Sequence, residues 1–130
     1  RDAPGARRRG PRASAPLPGT PAAPRRKTCL IAGVDLAHVG PRFGDAETNA
    51  VESLAAVEAA DRRMLEAVVE GDPTGFYASV AHDGDRRRIC GLSPIYTFLR
   101  ALPGARGRLI RYSQWPDPEG AVTFCAAAFP

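Results

Sequence analysis

The chain has 130 residues, enough for one domain, and a formal net charge of +4 that is unevenly divided. Residues 1–27 contain eight Lys and Arg residues and one acidic residue, a net charge of +7. Residues 28–130 contain ten Lys and Arg residues and thirteen acidic residues, a net charge of −3. A mildly acidic body argues against a nucleic-acid-binding fold, and no apolar stretch approaches the roughly 18–20 residues of a membrane span. We therefore expect neither nucleic acid nor a membrane as a partner.

The cysteine content favours a reducing compartment. Cys29, Cys90 and Cys125 are odd in number and widely spaced, so they do not form a disulfide framework, and no CxxC pair indicates structural zinc. No N-terminal segment has the pattern of a secretory signal, which together with the cysteines favours the cytoplasm. The chain begins with Arg rather than Met. We expect it to be processed or to be a piece of something longer.

The first 27 residues are predicted to be a disordered arm. They contain six prolines and three glycines, and Leu17 is their only sizeable apolar side chain. Such a segment cannot bury enough apolar surface to offset the entropy of ordering. An arm that binds an anionic partner and a plain linker or extension both fit this composition, and we favour the second.

The first predicted element is a strand over residues 28–34, whose continuous apolar run is typical of a strand buried on both faces of a parallel sheet. A polar, glycine-rich turn follows at 35–45.

A helix comes next, with Asp45 or Asn49 as its cap and an end at Gly71. Steps of three and four place one apolar stripe along it: Val51, Leu54, Val57, Ala60, Met64 and Val68. Charged residues four apart, Glu58, Arg62 and Glu66, are predicted to make contacts on another face.

Two shorter helices and two strands complete the predicted order. Asp72 caps a helix that begins at Pro73, and Ser93 caps another over residues 95–102. Residues 109–113 and 121–129 read as strands, and Trp115 is expected to pack the turn between them.

The order of these elements implies an α/β protein. A first strand that is buried on both faces needs neighbouring strands and covering helices, which residues 1–27 cannot supply. We therefore expect residues 28–130 to be the C-terminal part of an α/β domain that lacks its N-terminal half.

The strongest candidate site is the turn after the first predicted strand. Ligand sites in open α/β sheets form at the carboxyl ends of strands. Asp35 and His38 are three residues apart there, so Asp35 could orient the imidazole or raise its basicity. His38 could then act as a base or a metal ligand. A capping Asp and a structural His are the alternative, and the placement after the strand favours function.

The second candidate is Cys90, which lies just before a predicted helix start and just after the arginines at 86–88. A helix N-terminus and nearby cations both favour the thiolate form, which ligates soft or borderline metals. The alternative is a small buried hydrophobe, which Cys29 and Cys125 fit well inside their predicted strands. The three arginines could bind an anion, although a solvated loop run is the favoured interpretation.

Four segments carry a resemblance to a known family: AGVDLAHVGPRFGD at 32–45, RICGLSPI at 88–95, RYSQ at 111–114 and the apolar run at 121–129. They resemble segments of the Memo-like proteins, whose prokaryotic members are often called AmmeMemoRadiSam system protein B. The first looks like the family's second active-site segment, the second resembles its Cys-Gly segment before a helix, and the last two resemble its C-terminal strands. The likeness runs from about residue 28 to residue 129, with the segments in family order.

The resemblance implies an α/β/α fold related to the class III extradiol dioxygenases, with a metal pocket at the sheet edge. It implies a copper or iron ion, with redox or oxygen chemistry. Cys90 and His38 would be metal ligands, and Asp35 and His38 would do catalytic work in the same pocket. The family's other pocket histidines come from an N-terminal half, and residues 1–27 contain no His. Partners would come from the AmmeMemoRadiSam system.

Two other functions remain open from the sequence. The same pocket could belong to a non-catalytic module for an anionic or peptide ligand, with Arg42 or the arginines at 86–88 assisting. The resemblance also includes an animal member of the family that is described as an adaptor for phosphotyrosine peptides. The chain could also be a truncated fragment that has no activity alone.

Overall fold

The computed structural model describes residues 29–46 and 50–130, without the side chains of residues 50–53. The predicted arm at 1–27 lies outside the described residues, and so do Thr28 and Asn49. Three helices are described, α1 (Ala50–Val69), α2 (Pro73–Ala81) and α3 (Leu92–Ala101), with a short 3-10 helix at Pro41–Phe43. Three strands accompany them: β1 (His38–Val39), β2 (Arg108–Asp117) and β3 (Gly120–Ala128). This content confirms the predicted α/β class.

The strands form an antiparallel sheet in the order β1-β3-β2, so the predicted parallel arrangement is wrong. Strands β2 and β3 are joined by a tight turn, in which the Glu119 N–H donates to the Asp117 carboxylate at 2.7 Å. A two-residue connection of this kind can join only antiparallel neighbours. Strand β1 adds to the other edge of β3, with His38 opposite Val122.

The predicted strand at 28–34 is also wrong over its described part. Residues 29–34 have no regular secondary structure, and Ile31 is 82% exposed. Apolar composition favours a strand only where a neighbouring strand supplies hydrogen-bond partners, and β3 pairs instead with His38–Val39, inside the segment predicted as a turn. Cys29 is therefore exposed rather than a buried hydrophobe.

The helix between Ala50 and Val69 agrees with the predicted periodicity. Val57, Met64 and Val68 are buried, and Glu58 pairs with Arg62 at 2.7 Å on the exposed face. Leu54 is partly buried against the core, whereas the side chain of Val51 lies outside the described part. The predicted cap Asp45 is used elsewhere: it accepts from the Gly40 N–H at 2.6 Å.

The starts of the two shorter helices differ in how well they were predicted. Asp72 caps α2 as predicted, accepting from the N–H groups of Thr74 and Gly75 at 3.0 and 2.9 Å. In contrast, α3 begins at Leu92 with Gly91 as its cap residue, so the predicted Ser93 cap is wrong. A Ser–Pro pair fits the first turn of a helix as well as its cap, because proline needs no N–H partner there.

The core lies between the helices and one face of the sheet. Its largest fully buried apolar side chains are Phe76, Leu36, Met64, Leu65, Leu99 and Val80. Tyr112 and Gln114 of β2 point toward α1, and Trp115, on the alternate face, is 71% exposed. The prediction that Trp115 packs the turn is therefore wrong. Within the described ranges, no helix combines the length and apolarity that crossing a membrane requires.

Candidate functional site

Residues 35–38 are held between two backbone segments that come from distant parts of the sequence. On one side, Leu36 N–H donates to the Thr123 carbonyl at 2.8 Å, and Thr123 N–H donates to the Ala37 carbonyl at 2.9 Å. On the other side, His38 N–H donates to the Arg87 carbonyl at 2.7 Å, and Cys90 N–H donates to the Leu36 carbonyl at 3.3 Å. These hydrogen bonds fix the backbone from which the side chains of residues 35, 38 and 90 extend.

Three candidate side chains meet at this point. One ligand atom each from Asp35, His38 and Cys90 lies within 4.8 Å of the other two. Within the set, His38 Nε2 is 3.9 Å from Asp35 Oδ2. His38 is half-buried, whereas Asp35 and Cys90 are exposed. The structure therefore brings together the three residues that the sequence singled out from two separate motifs, and their roles remain predictions.

The His38 ring is oriented by backbone carbonyls. Its Nδ1 atom lies 3.3 Å from both the Leu36 carbonyl and the Arg88 carbonyl, and the ring of Phe43 packs edge-on against it. Since carbonyl oxygens only accept, this geometry assigns the ring proton to Nδ1. Nε2 then lies toward Asp35 and is the ring nitrogen available to a metal ion. A histidine oriented in this way through its other nitrogen is typical of metal ligands.

Cys90 approaches the site because Gly91 follows it. The Cys90 Sγ atom lies 3.5 Å from the Asp35 carbonyl oxygen. A Cβ atom at Gly91 would lie 2.7 Å from that same oxygen and 2.9 Å from Val34 Cγ2, closer than packed atoms allow. Gly91 is therefore a residue of the site that the sequence reasoning did not assign, although the Cys-Gly pair was a visible signal.

An ion pair closes the loop around His38. Asp45 pairs with Arg88 at 2.6 Å, and the Arg88 guanidinium also donates to the His38 carbonyl at 3.2 Å. The hydrogen bond from Arg88, and then that from the Gly40 N–H, hold the pKa of Asp45 below its usual value. The hydrogen bond to Asp45 raises the pKa of Arg88. Asp45 and Arg88 thus stay charged and keep the loop in place.

The arginines near the site are largely engaged by carboxylates of the same chain. Arg42 pairs with Asp117 at 2.8 Å, so its predicted ligand-binding role would require it to exchange this partner. Arg87 is buried against Asp61, and Arg86 is exposed. The favoured interpretation of residues 86–88 as a solvated run is therefore wrong for Arg87, because a buried carboxylate attracts that side chain into the interior.

Sequence reasoning also missed a buried polar cluster centred on Asp61. This carboxylate is fully buried and accepts from Arg87, from Thr123 at 2.6 Å and from Tyr112 at 2.9 Å. Burial raises the pKa of Tyr112 to about 12, so the phenol remains a donor. The available signal was position: Asp61 follows Val57 by four and precedes Leu65 by four, and so lies on the buried stripe of α1.

The three converging side chains fit a single transition metal ion in their chemistry. A thiolate, an imidazole and a carboxylate are ligands of borderline metals such as copper, zinc and iron. Ligand atoms around a tetrahedral ion lie about 3.3–3.8 Å apart, so atoms within 4.8 Å of one another require only a small closure. Three protein ligands also leave a coordination position open, as in catalytic rather than structural sites.

Comparison with known proteins agrees with the motifs. The family model described as Memo-like protein matches residues 21–125. A MEMO1 family protein of Thermus thermophilus is 36% identical over 86 residues, which is 64% of this chain and 24% of that relative. The match thus spans about a quarter of the length of that curated relative. The family model covers most of the chain, including all three converging residues, and the chain therefore belongs to the Memo-like family.

Proposed function

We propose that Asp35, His38 and Cys90 hold one transition metal ion, and that this chain contributes the site to metal-centred redox or oxygen chemistry. The observation that supports the proposal is the convergence of their three ligand atoms within 4.8 Å. The orientation of His38 adds to it, because Nδ1 faces two carbonyls and Nε2 lies 3.9 Å from Asp35 Oδ2.

Copper fits this set of ligands better than iron does. Thiolate ligands select soft or borderline ions, of which Cu(I) is one, and imidazole suits copper as well. Non-haem iron in oxygenases is typically held by two histidines and one carboxylate, whereas the cluster here has one histidine and a cysteine. When bound, a copper ion would supply one-electron redox chemistry at an open coordination position.

Each of the three residues has a separate task in the proposed site. His38 presents Nε2 as a ligand, with its ring held by the Leu36 and Arg88 carbonyls. Cys90 supplies the thiolate from the position that precedes Gly91, the cap residue of α3. Asp35 is about half-exposed and lies beside Nε2, so it can complete the ligand set or hold a proton next to a substrate.

The cellular location of the site and its partners are part of the same proposal. Two exposed thiols, Cys29 and Cys90, persist as thiols in a reducing compartment, which supports a cytoplasmic location. The complete reaction would draw on further Memo-like segments and on partners of the AmmeMemoRadiSam system. Residues 28–130, which carry the resemblance, would form the contributing domain, and the matched relative is about four times longer than its matched part.

The test measures metal binding at Cys90 with Cys29 as a control inside the same molecule. Both thiols are exposed, but only Cys90 has His38 and Asp35 beside it. Co²⁺ serves as a spectroscopic probe and Cu(I) as the proposed ion, each titrated anaerobically into the reduced chain. We expect one equivalent to produce a thiolate-to-metal absorption band and to slow alkylation of Cys90 while leaving alkylation of Cys29 unchanged.

Two variants and one control sharpen this experiment. Cys90→Ser should abolish the thiolate band, and His38→Ala should weaken binding by more than the about 10–100-fold that loss of a residue orienting a metal ligand costs at other sites. Cys29→Ser should bind as the wild type does. Equal protection of Cys29 and Cys90 would contradict the proposal, as would a band that survives Cys90→Ser.

A further inference from the structure

Asp61 links the two segments that hold residues 35–38 in place, although it touches none of the three converging side chains. Its Oδ2 accepts from the Thr123 hydroxyl at 2.6 Å, and that hydroxyl accepts from the Ala37 N–H at 2.8 Å. Its Oδ1 accepts from Arg87, whose carbonyl accepts from the His38 N–H at 2.7 Å. One carboxylate thus holds in place the two residues, Thr123 and Arg87, that accept hydrogen bonds from the Ala37 and His38 N–H groups.

We propose that Asp61 is a positioning residue for the Asp35–His38–Cys90 site. The proposal rests on the proposed function, since positioning matters most where three ligand atoms must meet. Arg87 stands three residues before Cys90, so the Asp61–Arg87 pair also sets how close the cysteine comes to His38. Loss of the carboxylate would free Thr123 and Arg87 to move independently and would widen the distance between His38 and Cys90.

The energetics of Asp61 favour this role over a general contribution to stability. A fully buried carboxylate is costly to desolvate, and a well-packed apolar residue is often equally stable in such a place. Three donors, from Arg87, Thr123 and Tyr112, converge on its two oxygens and hold it in one orientation. A group that is expensive to bury and tightly oriented is well suited to fixing geometry.

Tyr112 provides the matched control within the cluster. Its hydroxyl donates to Asp61 at 2.9 Å and accepts from Gln114 at 3.1 Å, whereas the Ala37 and His38 N–H groups donate to the Thr123 hydroxyl and the Arg87 carbonyl. Tyr112→Phe therefore weakens the cluster without releasing the backbone of residue 37 or residue 38. Glu58→Gln, on the exposed face of α1, controls for the loss of one negative charge from the same helix.

The experiment compares Asp61→Asn and Thr123→Val with Tyr112→Phe and Glu58→Gln in the full chain. One measurement is Co²⁺ affinity with its thiolate band. The other is the ¹⁵N chemical shifts of the metal-free His38 ring, which report whether the proton is on Nδ1. We expect Asp61→Asn and Thr123→Val to weaken Co²⁺ binding by about 10–100-fold. We also expect both to move the ring toward the Nε2–H form, whereas the two controls stay at wild-type values.

The two measurements separate this inference from the proposed function. If the wild-type chain binds no Co²⁺, the proposed function fails, and the ring shifts still decide whether Asp61 positions His38. If Asp61→Asn does not fold, Thr123→Val carries the comparison. A lower melting temperature with unchanged ring shifts and affinity would overturn the positioning role, and so would an equal effect of Tyr112→Phe.

Discussion

The carboxylate of Asp45 lies 2.6 Å from Nη2 of Arg88, and this pair joins the two segments that supply His38 and Cys90. Asp45 also accepts from the Gly40 N–H, and Arg88 also donates to the His38 carbonyl. The pair therefore closes the loop after β1 onto the segment before α3. Both side chains are more than one third exposed, so solvent screens their attraction. The main effect of the pair is to hold the two segments together locally.

The Asp45–Arg88 pair predicts a specific acid dependence. Arg88 lowers the pKa of Asp45 in the folded chain below the unfolded value of about 3.9. A carboxyl group with a depressed folded pKa stabilises the fold above the unfolded pKa, and this stability is lost as the pH falls through the folded pKa. We expect the free energy of unfolding of the wild type to decline more steeply below about pH 4 than that of Asp45→Asn.

Denaturant unfolding at a series of pH values measures the difference between these two proteins. Glu58→Gln is the control, because Glu58 also pairs with an arginine but lies on the exposed face of α1. Asp45→Asn should lose less stability below about pH 4 than this control does. If the free energy of unfolding falls equally steeply at low pH in Asp45→Asn and in the wild type, the Asp45–Arg88 pair does not contribute to stability.

The parts of the site that the sequence revealed are those with local signals. Asp35 and His38 share a turn, and Cys90 precedes a helix start, so spacing and resemblance were enough to select them. Asp72 was found in the same way, because a cap acts on N–H groups two and three residues later. Each of these features depends on neighbours within a few positions of the chain.

Asp61 and residues 29–34 show why the rest could not be predicted. The partners of Asp61 are 26, 51 and 62 residues away in sequence, so no pattern within a few positions of the chain identifies them. Apolar residues 29–34 had the composition of a strand, but composition does not reveal whether a pairing strand is present. Burial and pairing are properties of distant contacts, which a local pattern does not encode.

Tyr112 should titrate far above the ordinary range of a tyrosine. Burial raises its pKa to about 12, against about 10 in the unfolded chain. The folded state then holds the proton more tightly, so this contribution to the free energy of unfolding is complete below about pH 10 and is lost as the pH rises toward 12. Phenolate absorbance measured against pH should show a late step that is missing in Tyr112→Phe.

Alkaline unfolding provides the second half of this test. The wild type should lose stability between about pH 10 and pH 12 more steeply than Tyr112→Phe does. A step near pH 12 that persists in Tyr112→Phe would assign the late titration to another group.

The three cysteines should differ in reactivity in the metal-free chain. Cys29 and Cys90 are exposed, whereas Cys125 is half-buried in β3, and burial raises the pKa of its thiol. Because the thiolate is the reactive form, Cys125 should be alkylated last at neutral pH. Mass spectrometry of peptides after timed iodoacetamide treatment measures the order. Denaturant should remove the difference, and early labelling of Cys125 in the folded chain would contradict the placement of β3.

Gly91→Ala tests whether the close approach of two segments assembles the site. The added Cβ would lie 2.7 Å from the Asp35 carbonyl oxygen and 2.8 Å from Ile95 Cδ1, so the segment carrying Cys90 must move away from Asp35. Overpacking of this kind costs about 1–3 kcal/mol in the free energy of unfolding. Gly33→Ala is the matched control, because no atom of the described residues lies within 4 Å of a Cβ at that position.

The two glycine variants should also differ in metal binding. We expect Gly91→Ala to weaken Co²⁺ binding and to reduce the thiolate band, since Cys90 Sγ would be displaced with its backbone. Gly33→Ala should retain both. Backbone displacement is the reason for the expected loss, so a Gly91→Ala chain that is destabilised but binds Co²⁺ with wild-type affinity would show that the ligand set tolerates a wider gap between residues 35 and 90.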